Sequence, residues 1–338
     1  MNFKVHIEPS GREFQIAQDE SVLDASLRQG LSIPYGCRSG YCGACKCKVI
    51  SGELHYGDND PGALSEQEKL VGMALPCIAI PKTDLVLEIK EITDLSDIPI
   101  RNLRAKIARL EKLSPNVMGL WLKLPDGERL RYLAGQYVNF LLPDGKKRAF
   151  SIANAPHNDE LLEFHIGLVR GGHFAEQLRN KIQVKDLMRI EGPHGSFFLR
   201  EDSDRPIIML ATGTGFGPVK AIIEHALCES VQRPIHLYWG VRQQPDLYMH
   251  ELCQRWAKEY AHVHYHPVLS QATADDDWTG RRGYVQDAVL TDFSDLSNFE
   301  LYACGLPEMV LNARKVLTEQ RGLDTKHCYS DTFDWAKD

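Results

Sequence analysis

The chain has 338 residues, 43% of them hydrophobic and 25% charged, with a formal net charge of −7 and a mean hydropathy of −0.31. That length exceeds one ordinary core and suits two or three domains. No apolar run is long enough to cross a bilayer, and the acidic balance argues against nucleic acid as a partner. Nine cysteines, an odd number, and an N-terminus that alternates without a signal-peptide core suit a reducing cytoplasm better than a disulfide framework.

The segment to residue 96 begins with alternating strands at Phe3–Ile7 and Glu13–Ile16, joined by a turn at Ser10-Gly11. A helix is expected from Ser21, with Asp24 completing an approximate capping box, to Gly30. Cys37, Cys42 and Cys45, then Cys77, read C-x₄-C-x₂-C with one distant cysteine, the ligand spacing of a plant-type [2Fe–2S] cluster. Soft thiolates suit iron, and Gly36, Gly40, Gly43 and Ala44 let the backbone curl close to sulfur. The competing readings are zinc, which normally shows two C-x₂-C pairs, and a disulfide pattern. Strand, strand, helix and cysteine loop is the order of a small β-grasp ferredoxin. Asp84–Ile92 is expected to close its sheet, Cys47 to pack, and Thr93–Pro99 to serve as a linker.

From residue 97 to 202 short alternating runs appear at Val117–Leu122, Gln136–Leu142, Ala149–Ala153, Leu161–Val169 and Leu187–Ile190, punctuated by Pro-Asp-Gly turns. They predict an antiparallel barrel. Within it Arg148-Ala149-Phe150-Ser151 offers a cation for phosphate, an aromatic face for an isoalloxazine and a hydroxyl, although a plain barrel strand explains four such residues equally well.

From residue 203 strand and helix alternate. Strand Pro206–Ala211 leads through glycine-rich Thr212–Pro218 to helix Val219–Glu229. Strand Ile235–Val241, helix His250–Tyr260, strands His262–Leu269 and Glu300–Cys304, and helix Pro307–Arg321 follow. This series predicts a doubly wound parallel sheet. Gly213-Thr214-Gly215-Phe216-Gly217-Pro218 joins strand to helix, where backbone N–H groups can approach a pyrophosphate. Its order is G-x-G-x-G-P rather than G-x-G-x-x-G, and a structural glycine turn is the bland alternative. His262, His264 and His266 would share one face of a strand, as packing or as a metal site. Arg281-Arg282 could meet a 2′-phosphate or form a solvated turn.

Taken together, Arg148–Ser151, Gly213–Pro218, Cys304-Gly305 and the terminal Phe333 resemble the ferredoxin–NADP⁺ reductase superfamily, in the form with an N-terminal plant-type ferredoxin domain. The resemblance covers nearly the whole chain. Tyr132–Tyr137, Ser151–Pro156, Arg189–Pro193, Tyr238–Gly240 and Tyr302–Gly305 point, within it, to the CDP-6-deoxy-Δ3,4-glucoseen reductases; oxygenase reductase components share the layout. It implies that Arg148 binds the flavin diphosphate, Phe150 stacks on the isoalloxazine and Ser151 hydrogen-bonds near N5. Gly213, Thr214, Gly215, Gly217 and Pro218 would cradle the dinucleotide, with Gly240, Arg242 and Gly305 also at the nucleotide. Cys304 would line the nicotinamide pocket, and Phe333, with Trp335 competing, would cover the flavin. His165-Ile166-Gly167 departs from the family's H-V-R and Gly172-His173-Phe174-Ala175 from its G-x-F-S. His165, Ile166, Gly172 and Phe174 are nonetheless expected at the flavin, the last two through backbone N–H groups.

The implied architecture is a β-grasp [2Fe–2S] ferredoxin domain (1–96), an antiparallel β-barrel FAD domain (97–202) and an α/β nucleotide domain (203–338). The implied activity takes hydride from NADH, with NADPH as the less favoured donor, to FAD. Single electrons then go through the cluster to a partner protein, a dehydratase or an oxygenase component. Ser151, Cys304 and Phe333 would act in the hydride step. A redox-sensing module is the remote rival, and neither nucleic acid nor membrane is expected as a partner.

Overall fold

The computed structural model describes residues 2–333 except Thr93, Asp94, Ser96, Arg170 and 273–277, and the elements below are those of the described residues. Trp335 and part of the expected linker lie outside them. The chain divides into two compact units, one comprising the residues up to Pro99 with the tail from Ser330, the other Ile100–Tyr329.

In the first unit, period-two alternation buries Val5 and Ile7 of β1 (Asn2–Glu8) and Phe14 and Ile16 of β2 (Arg12–Ala17). Helix α1 (Val22–Arg28) covers them with Val22, Leu23 and Ala25. Ser21 caps it by accepting from the Asp24 backbone N–H, but the Asp24 carboxylate accepts from the Ser21 hydroxyl, so only half of the expected box forms. After the cysteine loop come β3 (Cys47–Ser51), β4 (Leu54–His55), α2 (Glu66–Leu70), β5 (Met73–Ala74), β6 (Ile80–Pro81) and β7 (Leu85–Glu88). The sheet order is β2-β1-β7-β3-β5. The strand expected to close the sheet is therefore its centre, parallel to β1 and antiparallel to β3. Buried Leu85 and Leu87 belong over the core, whereas two-residue β5 suits an edge.

The second unit opens with β8 (Arg101–Ser114), β9 (Val117–Lys123), β10 (Tyr137–Leu141), β11 (Lys147–Ser151), β12 (Leu162–Gly167), α3 (His173–Asn180) and β13 (Leu187–His194). The antiparallel order is β11-β10-β13-β8-β9-β12, and a bridge between Ile152 and Phe164 joins the two end strands into a closed barrel. Neither β8 nor α3 was expected. The inward residues of β8, Leu103, Ala105 and Ile107, are interleaved with a charged outer face that hides their alternation.

Then follow β14 (Ile207–Thr212), α4 (Phe216–Cys228), β15 (Ile235–Val241), α5 (His250–Glu259), β16 (Val263–Leu269), β17 (Arg281–Arg282), α6 (Val285–Asp292), β18 (Glu300–Gly305), α7 (Pro307–Arg321) and β19 (Cys328–Thr332). The sheet reads β17-β16-β15-β14-β18-β19, and the strands from β17 to β18 run parallel. Helix α4 starts at Phe216, three residues before the expected Val219, because Gly217 and Pro218 fit a helix's first turn. Short edge strands β17 and β19 and helix α6 escaped the periodicity.

The alternating histidines are rungs of a ring ladder. His264 stacks on His236 at 4.5 Å and His266 on Tyr238 at 4.4 Å, in the register of β15 and β16. Burial first, then neighbouring histidine charge, pushes His236 down to about 4; burial also pushes His266 down to about 4. Between pH 6.5 and about 4 the unfolded chain therefore binds more protons, so stability rises with pH across that window and falls on acidification. Both rings are partly exposed, which screens the effect. His236→Phe, set beside Phe293 and Phe299, should show a shallower loss of unfolding midpoint between pH 6.5 and 4 than the native chain. Parallel curves from urea titrations would remove His236 as a contributor.

Candidate functional site

The four cysteines come as two pairs. Backbone N–H groups of Ser39 and Cys42 donate to Cys37 Sγ at 3.4 and 3.3 Å, and those of Cys37 and Ala44 to Cys42 Sγ at 3.4 Å. Cys45 hydrogen-bonds Cys77. The Cys42 thiol holds Cys37 well below the ordinary thiol range, while the partner sulfur and burial push Cys42 and Cys45 up. Among the described residues no three His, Cys, Asp or Glu side chains converge where one metal ion could sit. Two sulfur pairs fit two irons better than one zinc. Gly40 (φ 86°) and Gly43 (φ 71°) supply the left-handed turns of the loop.

The tail supplies residues that sequence reading missed. Ser330 Oγ donates to the Cys42 carbonyl at 2.8 Å, and a Cβ on Gly36 would stand 3.0 Å from Asp331 Oδ1 and 3.2 Å from Cys42 Sγ. Asp331 is wholly buried; burial first, then the Cys37 charge, pushes it up to about 7. A separation of 288 positions left no local signal for this contact. Phe333, half-buried, stands two residues on from Asp331.

On the barrel, Arg148 and Phe150 share one side of end strand β11, and buried Ser151 ends it opposite Tyr137. Phe150 is half-buried, with Phe140 at 4.8 Å and Phe174 at 5.2 Å beneath it. Gly172 caps α3, so the N–H groups of its first turn, Phe174 among them, point out of the helix end while the Phe174 ring fills the core. A cation, a half-open aromatic and a hydroxyl on one end strand fit a flavin. Ile166 is core. The His165 ring is taken on both sides, by Glu163 at 2.8 Å and Tyr248 at 3.1 Å, which leaves only its backbone for a cofactor. Two of the quoted motifs prove architectural. Gln136 spans Leu133 N and Gly195 O, and Asn154 binds Glu163 N and Leu161 O.

The glycine turn lies where the parallel order reverses, between the C-terminal ends of β14 and β18, the usual ligand crevice of an open α/β sheet. A Cβ on Gly215 would stand 2.2 Å from the Cys304 carbonyl oxygen, and one on Gly305 (φ 151°) 2.0 Å from Thr212 Oγ1. Trp239, stacked on Phe216 at 3.9 Å, donates Nε1–H to Gly213 O at 3.1 Å and braces the turn from below. Gly213 and Thr214 remain half-exposed, so this backbone cradle fits a dinucleotide. Gly217 and Pro218 are buried in the first turn of α4; a Cβ on Gly217 would stand 3.4 Å from Ala153 Cβ. Cys304 is fully buried behind the turn. Gly240 makes room for Val285 of α6, whose Cγ1 would lie 2.7 Å from a Cβ there. Arg242 is exposed just past β15.

Comparisons agree with this geometry. The chain matches the families described as "2Fe-2S iron-sulfur cluster binding domain" over residues 5–82, "Oxidoreductase FAD-binding domain" over 104–199 and "Oxidoreductase NAD-binding domain" over 209–315. It is 37% identical to the CDP-6-deoxy-L-threo-D-glycero-4-hexulose-3-dehydrase reductase of Yersinia pestis, over 98% of this chain and 99% of that one. It is 34% identical to the phenol 2-monooxygenase reductase component DmpP of Pseudomonas sp. (strain CF600), over 100% and 96%. The crystal structure of Amycolatopsis cytochrome P450 reductase GcoB superposes with a TM-score of 0.77, at 30% identity and 98% coverage of both chains.

The crowding at Gly215 yields a test. Gly215→Ala must push the turn off β18, an overpacking cost of about 1–3 kcal/mol, or roughly 5- to 150-fold in nicotinamide-nucleotide affinity if the strain falls on the cradle. Titration of the flavin-loaded protein with nucleotide should show that loss with flavin content unchanged. Native affinity in Gly215→Ala would mean the turn does not form the cradle.

Proposed function

The chain belongs to the ferredoxin–NADP⁺ reductase superfamily, in the form carrying an N-terminal 2Fe–2S domain, and on that footing we propose that it is a cytoplasmic NADH-dependent reductase supplying single electrons to a dehydratase of nucleotide sugars. When bound, nicotinamide supplies hydride, FAD accepts the pair and releases single electrons, and the cluster conducts them. The observation that carries the reading is the presence, in one chain, of two sulfur pairs, a flavin strand and a switch-point cradle.

The chain's own residues have distinct tasks. Cys37, Cys42, Cys45 and Cys77 would hold the cluster, and the N–H groups on Cys37 and Cys42 would stabilise its negative charge. Arg148 would bind the flavin diphosphate, Phe150 support the ring, and Ser151 offer a hydroxyl near N5. Gly213–Gly215 would cradle the pyrophosphate, Cys304 back the nicotinamide pocket and Phe333 cover the flavin. NADH is favoured over NADPH because Arg281 is ion-paired to Asp292 at 2.6 Å and Arg282 donates to the Ala272 and Trp278 carbonyls. Domain limits of 1–96, 97–202 and 203–338 belong to the same proposal, supported by matched family ranges that each fall within one of them. Among the described residues no helix is long and apolar enough to cross a membrane. Likeness to the phenol 2-monooxygenase reductase component favours a second reading, in which the acceptor is an oxygenase. Reduction assays with each acceptor class would separate the two.

Purified protein should contain iron and acid-labile sulfide in equal amounts, with heat-extractable flavin, and zinc in place of iron would overturn the cluster. Cys42→Ser removes a ligand, so it should lower cytochrome c reduction by more than the about 10–100-fold typical of losing an outer-shell partner. NADH-dependent ferricyanide reduction should persist, because hydride reaches the flavin without the cluster. Equal loss of both activities in a variant that keeps its flavin would refute this order of carriers.

A further inference from the structure

Helix α4, whose N-terminus follows the glycine turn, buries Phe216, Val219, Ala221, Ile222 and Ile223, and among them a lysine. Lys220 is 5% exposed. Its ammonium donates to the Ala153 carbonyl at 3.0 Å, to Glu163 Oε2 at 3.0 Å and to the Glu224 carboxylate, whose two oxygens stand at 3.0 and 3.1 Å, so three acceptor groups meet its three protons. Ala153 stands two residues after Ser151, and Glu163 lies on β12, whose carbonyl accepts from Ala153 N at 2.8 Å. A buried ion pair is a poor route to stability, since an apolar pair of equal volume serves as well. What it does provide is fixed geometry.

The network is ordered end to end. Burial opposes ionisation of Glu163, but the His165 hydrogen bond and the Lys220 charge outweigh it and hold the carboxyl below its usual range. Burial holds Glu224 above that range, against the pull of the Lys220 charge. Burial keeps His165 neutral, so its Nε2–H donates to Glu163 and its Nδ1 accepts from Tyr248 Oη. The Tyr248 ring meets Phe216 and Trp239, the pair beneath the glycine turn. One chain of contacts thus ties the flavin strand to the nucleotide turn at both the helix and its aromatic floor.

We infer that Lys220 is a positioning residue for hydride transfer, setting the separation of the nucleotide cradle from the flavin strand. This rests on the reading that the cradle holds NADH and the strand holds FAD. Reacting atoms must lie about 3–3.5 Å apart, and a 1 Å misplacement costs about 10²-fold.

The test compares stopped-flow flavin bleaching by NADH in native protein, Lys220→Met/Glu163→Gln and Lys220→Arg. The double variant removes both charges of the Lys220–Glu163 pair while a carboxamide oxygen still accepts from His165. At saturating NADH its bleaching rate should fall about 10–100-fold, with nucleotide affinity changed by less than about 3-fold. The long-wavelength charge-transfer band of reduced flavin with NAD⁺ should weaken, and Lys220→Arg should recover part of both signals. Native rate and band in a double variant that keeps its flavin would overturn the assignment. So would a rate that recovers fully at high NADH. If the double variant loses its flavin, Glu224→Ala, which removes one of the three acceptor groups, carries the comparison. Native rate in it, or loss of flavin from it as well, would reduce the network to a structural one. Failure of NADH to bleach the native protein would instead refute the functional reading itself.

Discussion

Everything in the nucleotide half depends on backbone meeting backbone where the parallel sheet reverses. Gly215 lies so close to the Cys304 carbonyl that even a methyl group would overlap it, and Gly305 lies as close to the Thr212 hydroxyl. Only residues without a Cβ let β14 turn into α4 while the end of β18 stays alongside. That approach leaves Gly213 and Thr214 half-exposed at the head of a helix, where amide dipoles favour an anion. The aromatic floor of Trp239 and Phe216 then keeps the turn from relaxing.

The cysteine loop obeys a similar rule with a different ligand chemistry. Its glycines do two jobs: Gly40 and Gly43 take left-handed conformations that a side chain resists, and Gly36 leaves room for Ser330 and Asp331. The result is a loop whose backbone N–H groups face sulfur, with a buried carboxyl from the far end of the chain beside it. Such donors stabilise an anionic sulfur centre, while a nearby carboxylate opposes added negative charge.

The barrel motifs divide between chemistry and architecture. Arg148, Phe150 and Ser151 present polar and aromatic groups on an end strand, whereas Gln136 and Asn154 spend their hydrogen-bonding capacity on backbone groups of the barrel's own turns. Both sets are equally prominent as sequence. Gln136 and Asn154 are amides with their partners already supplied by the fold, which leaves them little to offer a cofactor.

Local rules made the cluster spacing, most of the barrel strands, the βαβ series and the glycine turn legible in the sequence, because each is encoded within a few residues by periodicity, ligand spacing or the absence of a Cβ. Strand β8 stayed hidden because its charged outer face dilutes the alternation, and β7 was recognised as a strand but placed at the wrong position in its sheet. The pairing of cysteines two by two, the seat of Ser330 and Asp331 on the cysteine loop, and the Lys220–Glu163–His165–Tyr248 network were decided only by tertiary structure. Each joins residues far apart in the chain. A lysine in an apolar helix or an aspartate in a tail has no local partner to reveal it, and it acquires meaning only when folding removes water and leaves one oxygen or one sulfur within reach.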